Sequence, residues 1–268
     1  YPNLEYIIYD GGSIDKSIEI LEKYNKSITY WKSESDRGQA HAINKGFNKA
    51  TGDIITFCNS DDIYLPGTFN YIAEKWGEWK SYGAFVGSFR YLDEKSKFIS
   101  EPIYPKMMTK GPIDLTIGPM GNYRLHQVST FYTKVALDIV GRYVADYYTY
   151  VFDRELLYRI INRFSVYLDN RALGAFRIHR SSKSNSKIIP FSREFARLYR
   201  NKKDGNLKHD KMREERAKNN LYKGKIKMAK TRTFNAGKIF YLLFALYHRP
   251  FSIFETNYWA YWKRALKT

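Results

Sequence analysis

The sequence predicts an α/β protein: a mostly parallel sheet flanked by helices, followed by a basic α-helical C-terminal appendage. Three observations lead there. Short apolar runs rich in isoleucine and aromatics alternate with stretches of helical periodicity, the pattern of βαβ units. Polar motifs around Asp10, Asp36 and Asp61 each follow one of those runs, which places them at the carboxyl edge of a parallel sheet, where ligands collect. The charge is also lopsided. Residues 1–190 hold 25 Lys+Arg against 21 Asp+Glu, and residues 191–268 hold 20 against 6. The break near Ile189-Pro190 separates a domain over 1–189 from a basic region over 190–268.

Composition bounds the rest. A chain of 268 residues with 44% hydrophobic and 17% aromatic content builds a globular core. The single cysteine, Cys58, forms no intrachain disulfide and suits a reducing compartment. No apolar run approaches the roughly 20 residues of a spanning helix, and nothing reads as a secretory signal or an internal repeat.

In chain order, Leu4 to Tyr9 is a strand, followed by Asp10-Gly11-Gly12-Ser13. Ser13 is placed to cap a helix whose apolar positions are Ile14, Ile18 and Leu21. Ile28 to Trp31 is a second strand; Asp36-Arg37-Gly38 follows, then a helix from Gln39 to Ala50. Asp53 to Cys58 is a short, bounded apolar run, the central buried strand, and it leads into Asn59-Ser60-Asp61-Asp62. Two adjacent carboxylates repel unless something positive lies beside them. They suit a divalent cation bridging a diphosphate, or the N-cap of a helix beginning after Tyr64-Leu65-Pro66-Gly67. Residues 83–91 read as another core strand, and residues 97–123 as a variable loop.

His126 to Phe131 is a polar segment able to reach a ligand or to face a solvated cleft. From Val151 to Ile160, apolar positions 152, 156, 157 and 160 make an amphipathic helix with Asp153 and Glu155 in its first turn. Leu173 to His179 is a strand, with Arg180-Ser181-Ser182-Lys183-Ser184 after it.

The blocks DGGS (10–13), SDRGQAHAINKGFNKATGDII (35–55) and CNSDDIYLPG (58–67), in this order, resemble the nucleotide-binding half of a family 2 glycosyltransferase of the bacterial envelope-polysaccharide type, with the GT-A fold. The resemblance covers roughly residues 1–185. It implies inverting transfer of a sugar from a nucleotide-diphosphate sugar, with UDP-sugar as the expected donor, to a glycan or lipid-linked acceptor. It also implies a family first strand preceding Tyr1, in a segment of about 25–30 residues.

The site residues follow from the same resemblance. Asp10, Gly11, Asp36, Arg37, Gly38, Asn59 and Asp61 belong to the nucleotide pocket, the last two near the ribose. Asp61, Asp62 and His179 belong to a Mn²⁺ or Mg²⁺ site, with the direct ligand of the doublet left open. Lys183 reaches the diphosphate. Asp153 is the general base, with Asp146 as the alternative and Glu155 behind it. Gln127 or Ser129 touches the donor sugar.

The basic region suggests a cytoplasmic enzyme held peripherally on the anionic inner face of the cell membrane. Its net charge acts together with the apolar run Ile239 to Tyr247 and the aromatics Phe251, Phe254, Trp259 and Trp262. The other arrangement packs that apolar face on the catalytic domain or on a second subunit, with the lysines merely solvated. A pI near 9.7 also fits nucleic acid, but no nucleic-acid fold signature is present, so no such partner is expected. A non-catalytic nucleotide-sugar-binding relative would be expected to lack the metal or base carboxylates.

Overall fold

The computed structural model describes residues 1–105, 125–179 and 188–201, together with positions 214, 215, 217–219, 221, 222, 225, 242, 245 and 247. Two compact units divide the chain, Tyr1–His179 and Arg180–Thr268. The change in charge at residue 189 lies ten positions beyond that division.

The first unit is α/β. A parallel pair, β1 (Ile7–Asp10) and β2 (Tyr30–Ser33), forms a small sheet of its own. Helix α1 (Ser17–Lys23) connects the two strands, and α2 (Gln39–Lys49) follows β2. The larger sheet has five strands: β3 (Ile54–Ile55), β4 (Ile63–Tyr64), β5 (Ala84–Leu92), β6 (Thr130–Thr133) and β7 (Val166–Arg177), in the order β3-β6-β5-β7-β4. Parallel pairing, expected throughout most of the sheet, is confined to β1–β2 and β5–β7; β3–β6, β5–β6 and β4–β7 are antiparallel. The direction alternates because β6 is inserted between β3 and β5, and because β4 follows β3 after seven residues, too few for a crossover.

Several elements differ from expectation for identifiable reasons. The central strand shrinks to Ile54–Ile55, because side chains take over the next hydrogen bonds: Thr56 Oγ1 donates to the Thr130 carbonyl, and the Phe57 carbonyl accepts from Gln127 and Tyr64. Cys58 is consequently exposed, not part of a strand. Ser13 does not cap α1, since its N–H and hydroxyl are both spent on Asp10. The helix starts at Ser17, Ile14 is fully exposed, and only Leu21 of the three expected apolar positions is buried. The strands at 4–9 and 28–31 begin two to three residues late, and β7 begins seven early.

The doublet caps no helix. α3 (Thr68–Glu74) begins behind Gly67, whose left-handed φ of 78° reverses the chain there. Helices α4 (Trp76–Trp79) and α5 (Lys134–Val140) cover the sheet, and α6 (Phe152–Ile161) carries Asp153. Ile72, Trp79, Phe85, Phe131 and Leu173 are the buried centre of the core; each contributes roughly 1.5–3 kcal/mol of apolar burial.

In the second unit, α7 (Ile188–Asn201) buries Phe195, Ala196, Leu198 and Tyr199. Leu242 and Ala245, within the run expected to reach a membrane, are also buried, while Tyr247 is exposed. The remainder of that run, its neighbouring aromatics, Lys183 and most of the variable loop lie outside the described residues. Among the described residues no helix is long and apolar enough to cross a membrane.

Strands β5 and β7 pack so closely that side chains are excluded where the 3-10 turn Gln127–Ser129 crosses them. A Cβ on Gly174 would fall 2.3 Å from the Val128 carbonyl oxygen. Backbone cannot swing aside as a side-chain tip can. Gly174→Ala is therefore expected to destabilise the protein by roughly 1–3 kcal/mol, read as a lowered midpoint in urea denaturation.

Candidate functional site

The site grows from one rim of the first unit, where three loops meet. The first is the turn after β1. Asp10 accepts hydrogen bonds from the N–H groups of Gly12 (3.0 Å) and Ser13 (2.8 Å) and from the hydroxyls of Ser13 and Ser33 (2.6 Å). These donors, Ser13 foremost and then Ser33, hold its carboxyl down at about 2. Asp10 is thus the pin joining β1 to β2. It lies in the turn that the sequence reading assigns to the nucleotide pocket.

The second loop is Asp36-Arg37-Gly38. Asp36 accepts from the Gly38 N–H at 2.6 Å, and Gly38 has φ of 107°. The Asp36 carboxylate lies against Gly11; a Cβ there would meet it at 2.9 Å, so glycine lets the first two loops touch. Arg37 reaches Asp146 at 3.4 Å, both side chains well exposed. Asp146, the alternative base, is thereby an ion-pair partner of this loop.

The third loop carries the doublet. Gln39, at the start of α2, donates to Asn59, and Asn59 donates to Asp62 Oδ2 at 3.0 Å. Asp62 Oδ1 accepts the Arg177 backbone N–H at 2.9 Å. Both oxygens of Asp62 are therefore engaged, and the residue is 7% exposed. Burial pushes its carboxyl up to about 6; the Asp61 charge adds to the rise, and the Arg177 N–H and Asn59 oppose it.

Asp61 behaves differently. Its Oδ2 stands 3.0 Å from His179 Nε2, with side chains 38% and 24% exposed. The sequence reading brings Asp61, Asp62 and His179 together; the structure joins Asp61 to His179 and turns Asp62 into the fold. Arg177 also clamps the loop: its Nε donates to the Asp61 carbonyl at 2.8 Å and its Nη1 to Ser96 and the Asp93 carbonyl. Reading from sequence passed over Arg177 and Gln39. The signal for Arg177 was present, since residues 177 and 179 share one side of an extended strand.

The donor set was tested for a divalent cation. Two ligands at about 2.1 Å on adjacent octahedral positions lie about 3.0 Å apart, the separation of Asp61 Oδ2 and His179 Nε2. No group of three or more His, Cys, Asp or Glu able to hold a metal occurs among the described residues. Two protein ligands plus substrate phosphate oxygens is an ordinary environment for Mg²⁺ or Mn²⁺, so the residues fit such an ion.

Asp153 occupies different surroundings. It shares a small cavity with Gln127, Tyr132 and Arg154 that leaves no room for water. Burial raises its carboxyl, and Arg154 opposes the rise. Gln127 Nε2 donates to the Phe57 carbonyl, and its buried Oε1 has no hydrogen-bond partner among the described residues. The Phe57 ring packs on Phe152, 6.3 Å between centroids, so a single residue links the doublet loop to the helix of Asp153.

Glu155 is 2% exposed and is held by Arg159 at 2.9 Å. Arg159 also donates to the carbonyls of Val140, Gly141 and Tyr143, which makes Glu155 a brace between α6 and α5. Ser129, one of the two residues expected to touch the donor sugar, is fully buried and donates to the His126 carbonyl.

Comparison with known proteins places this geometry. Residues 1–130 match the family model described as Glycosyl transferase family 2. An uncharacterized glycosyltransferase of Rickettsia typhi is 24% identical over 191 residues, 70% of this chain and 59% of that protein. An uncharacterized glycosyltransferase of Haemophilus influenzae is 45% identical over 66 residues, 24% of this chain and 26% of that protein. The chain thus spans about three fifths of the length of the first and about a quarter of the second. Among solved structures, S. aureus TarS in complex with UDP-GlcNAc superposes with a TM-score of 0.56 at 14% identity, covering 91% of this chain and 72% of that one. The mannosyltransferase PcManGT of Pyrobaculum calidifontis, in complex with GDP-Man and Mn²⁺, gives 0.57 at 15% identity, covering 98% and 78%. The fold is the GT-A fold.

One titration is exposed by this geometry. His126 is stacked on Phe89 (4.4 Å between centroids) and tilted against Phe176, and burial holds its imidazole down at about 3, with Arg154 adding to the effect. The unfolded chain binds a proton there near pH 6.5, which the native state refuses. Stability from this residue is complete above about 6.5 and is lost as pH falls toward 3. Urea midpoints should therefore drop between pH 6.5 and 4 in the wild type, and the slope should be shallower in His126→Phe.

Proposed function

We propose that this chain, a member of glycosyl transferase family 2 through residues 1–130, moves a sugar from a nucleotide-diphosphate sugar to a hydroxyl of a glycan or lipid-linked acceptor, inverting the anomeric carbon. The observation that carries the reading is the Asp61–His179 pair. Residues 118 positions apart meet at 3.0 Å, on the rim that also holds the Asp10 and Asp36 turns. The nucleotide sugars in the TarS and PcManGT complexes support the donor class, and we take a UDP-sugar as the donor.

Asp61 and His179 would hold a Mn²⁺ or Mg²⁺ ion, which when bound supplies neutralisation of diphosphate charge. The chain's own residues do the rest. Gly11, Asp36, Arg37, Gly38 and Asn59 border the nucleotide, with Asp10 keeping the first turn in shape. Among the described residues the Arg37 guanidinium is tied only to exposed Asp146, so it can be redirected to a ligand at small cost. Lys183, which the family resemblance implies at the diphosphate, lies outside the described residues. Asp62, held by Asn59 and Arg177, fixes where Asp61 points.

Asp153 acts as the general base. Its carboxylate takes the acceptor hydroxyl proton while that oxygen bonds to the anomeric carbon and the bond to the diphosphate breaks, leaving its electron pair on the diphosphate. Burial makes it a stronger base than a solvated aspartate. The cavity around it must open as the acceptor arrives.

The test is nucleotide release from a panel of UDP-sugars with Mn²⁺. Asp61→Ala and His179→Ala should abolish it, and Asp153→Asn should lower turnover by roughly 10²–10⁴ with nucleotide affinity unchanged. Full turnover of Asp61→Ala in EDTA would sink the metal reading. Normal turnover in Asp153→Asn together with an inactive Asp146→Asn would move the base to Asp146.

The same proposal places the enzyme on the cytoplasmic face of an anionic membrane, held by the net +14 of residues 191–268. With Leu242 and Ala245 buried, charge rather than insertion supplies the attraction. Flotation with phosphatidylglycerol-rich vesicles should show binding at low ionic strength that is lost at high salt; no flotation at low salt rejects it.

A further inference from the structure

The turn Gln127–Ser129 presses on β7 so closely that Val128 leaves no space for a Cβ on Gly174. Thr130 Oγ1 and Ser129 Oγ both donate to the His126 carbonyl, at 2.7 and 3.2 Å, so the residues around Gln127 are held together. Gln127 itself is 9% exposed. Its Nε2 donates to the Phe57 carbonyl, and only the nitrogen arm of a carboxamide can do that. The bond therefore fixes which way the amide faces. Oε1 is the other arm, a buried acceptor with no hydrogen-bond partner among the described residues. Buried acceptors left unpaired are rare and costly.

Gln127 shares its cavity with Asp153, and that cavity has no room for water, so a partner for Oε1 has to come from the walls. Leu125 and Leu157 are apolar, and the Thr130 hydroxyl is spent on His126. Tyr132, from β6, and Arg154, beside Asp153 on α6, are permanent donors; within reach, either would already hold Oε1. Asp153 differs from both. Ionised, it has no donor; protonated, it has one. It is also the group here whose charge can change. Burial keeps the Tyr132 hydroxyl protonated and holds neighbouring His126 neutral, while the Arg154 charge acts on Asp153 throughout.

We propose that Gln127 is a positioning residue for the proton that Asp153 takes up: once protonated, Asp153 donates its O–H to Gln127 Oε1. The inference rests on the reading of Asp153 as general base. The acceptor hydroxyl gives its proton to one Asp153 oxygen and its electron pair to the anomeric carbon. The proton then lies between Asp153 and Oε1, and Gln127 changes no covalent bond. A carbonyl facing a carboxylate is repelled, and one facing a carboxylic acid is hydrogen-bonded, so Oε1 favours the protonated form and assists the transfer. The other arm of the same amide holds Phe57, at the head of the doublet loop, so one side chain ties that loop to the base.

Infrared difference spectroscopy of the whole chain through a pH titration tests it. The C=O band of protonated Asp153 is identified by its loss in Asp153→Asn. Because Oε1 can accept only from the protonated form, its removal should lower the midpoint of that band. Gln127→Met is expected to lower it by about one pH unit, the worth of one hydrogen bond, and to move the band toward that of a free acid. Nucleotide release from the UDP-sugar panel should fall about tenfold, with its acid limb displaced the same way and nucleotide affinity unchanged. Tyr64→Phe removes the other side-chain donor to the Phe57 carbonyl without touching Oε1, and should leave midpoint and band in place. A midpoint unmoved in Gln127→Met, or moved as far by Tyr64→Phe, overturns the proposal. Should Gln127→Met fail to fold, the wild-type band decides: a hydrogen-bonded acid supports the pairing and a free acid rejects it. Normal turnover in Asp153→Asn removes the base reading and this role with it. Lost turnover there, with an unmoved midpoint in Gln127→Met, keeps the base and rejects Gln127 alone.

Discussion

The rim of the first unit depends on what Arg177 does at the end of β7. Its backbone N–H holds the Asp62 carboxylate, and its guanidinium holds the Asp61 carbonyl, the Asp93 carbonyl and Ser96. Ile178 continues the ladder to the Leu92 carbonyl, so strand alternation returns His179 to the side of Arg177, beside Asp61. The pairing of β5 with β7 therefore fixes the one-residue register on which the Asp61–His179 contact rests; a slip by one would turn both side chains away. That pairing in turn relies on Gly87 and Gly174, where neighbouring atoms occupy the space a Cβ would need.

Much of this was legible before any coordinates. The helices at 39–49 and 152–161 and the strand at 84–92 follow from periodicity alone, because each is long enough to show one apolar face. The three polar motifs do share a rim: Gly11 touches Asp36, Gln39 bonds Asn59, and Asn59 bonds Asp62. The blocks that carried the family resemblance lie within the segment the family model matches.

The parts that were not legible turn on competition for hydrogen bonds, which no pattern of apolar residues records. Asp53 to Cys58 has the composition of a strand, yet Thr56, Tyr64 and Gln127 take its bonding groups and end the ladder after Ile55. Ser13 has the chemistry of a helix cap and is claimed by Asp10 from three residues away. Adjacent Asp61 and Asp62 look equivalent; only the long-range bonds from Asn59 and Arg177 make one structural and leave the other beside His179. Glu155 resembles a helper to Asp153 until Arg159, one helical turn on, is seen to hold it.

The carboxylates of the first unit are treated in two opposite ways. Asp10 is surrounded by donors that stabilise its charge, so it stays ionised under ordinary conditions. Asp62 and Asp153 are pushed the other way by burial, toward holding a proton. Arg177 opposes the rise at Asp62 through its backbone N–H and its charge, but its guanidinium donates to carbonyls and a serine hydroxyl, and Asp61 Oδ2 stands beside His179. The rim thus keeps two adjacent carboxylates beside one imidazole, an arrangement whose repulsion the proposed divalent cation would offset.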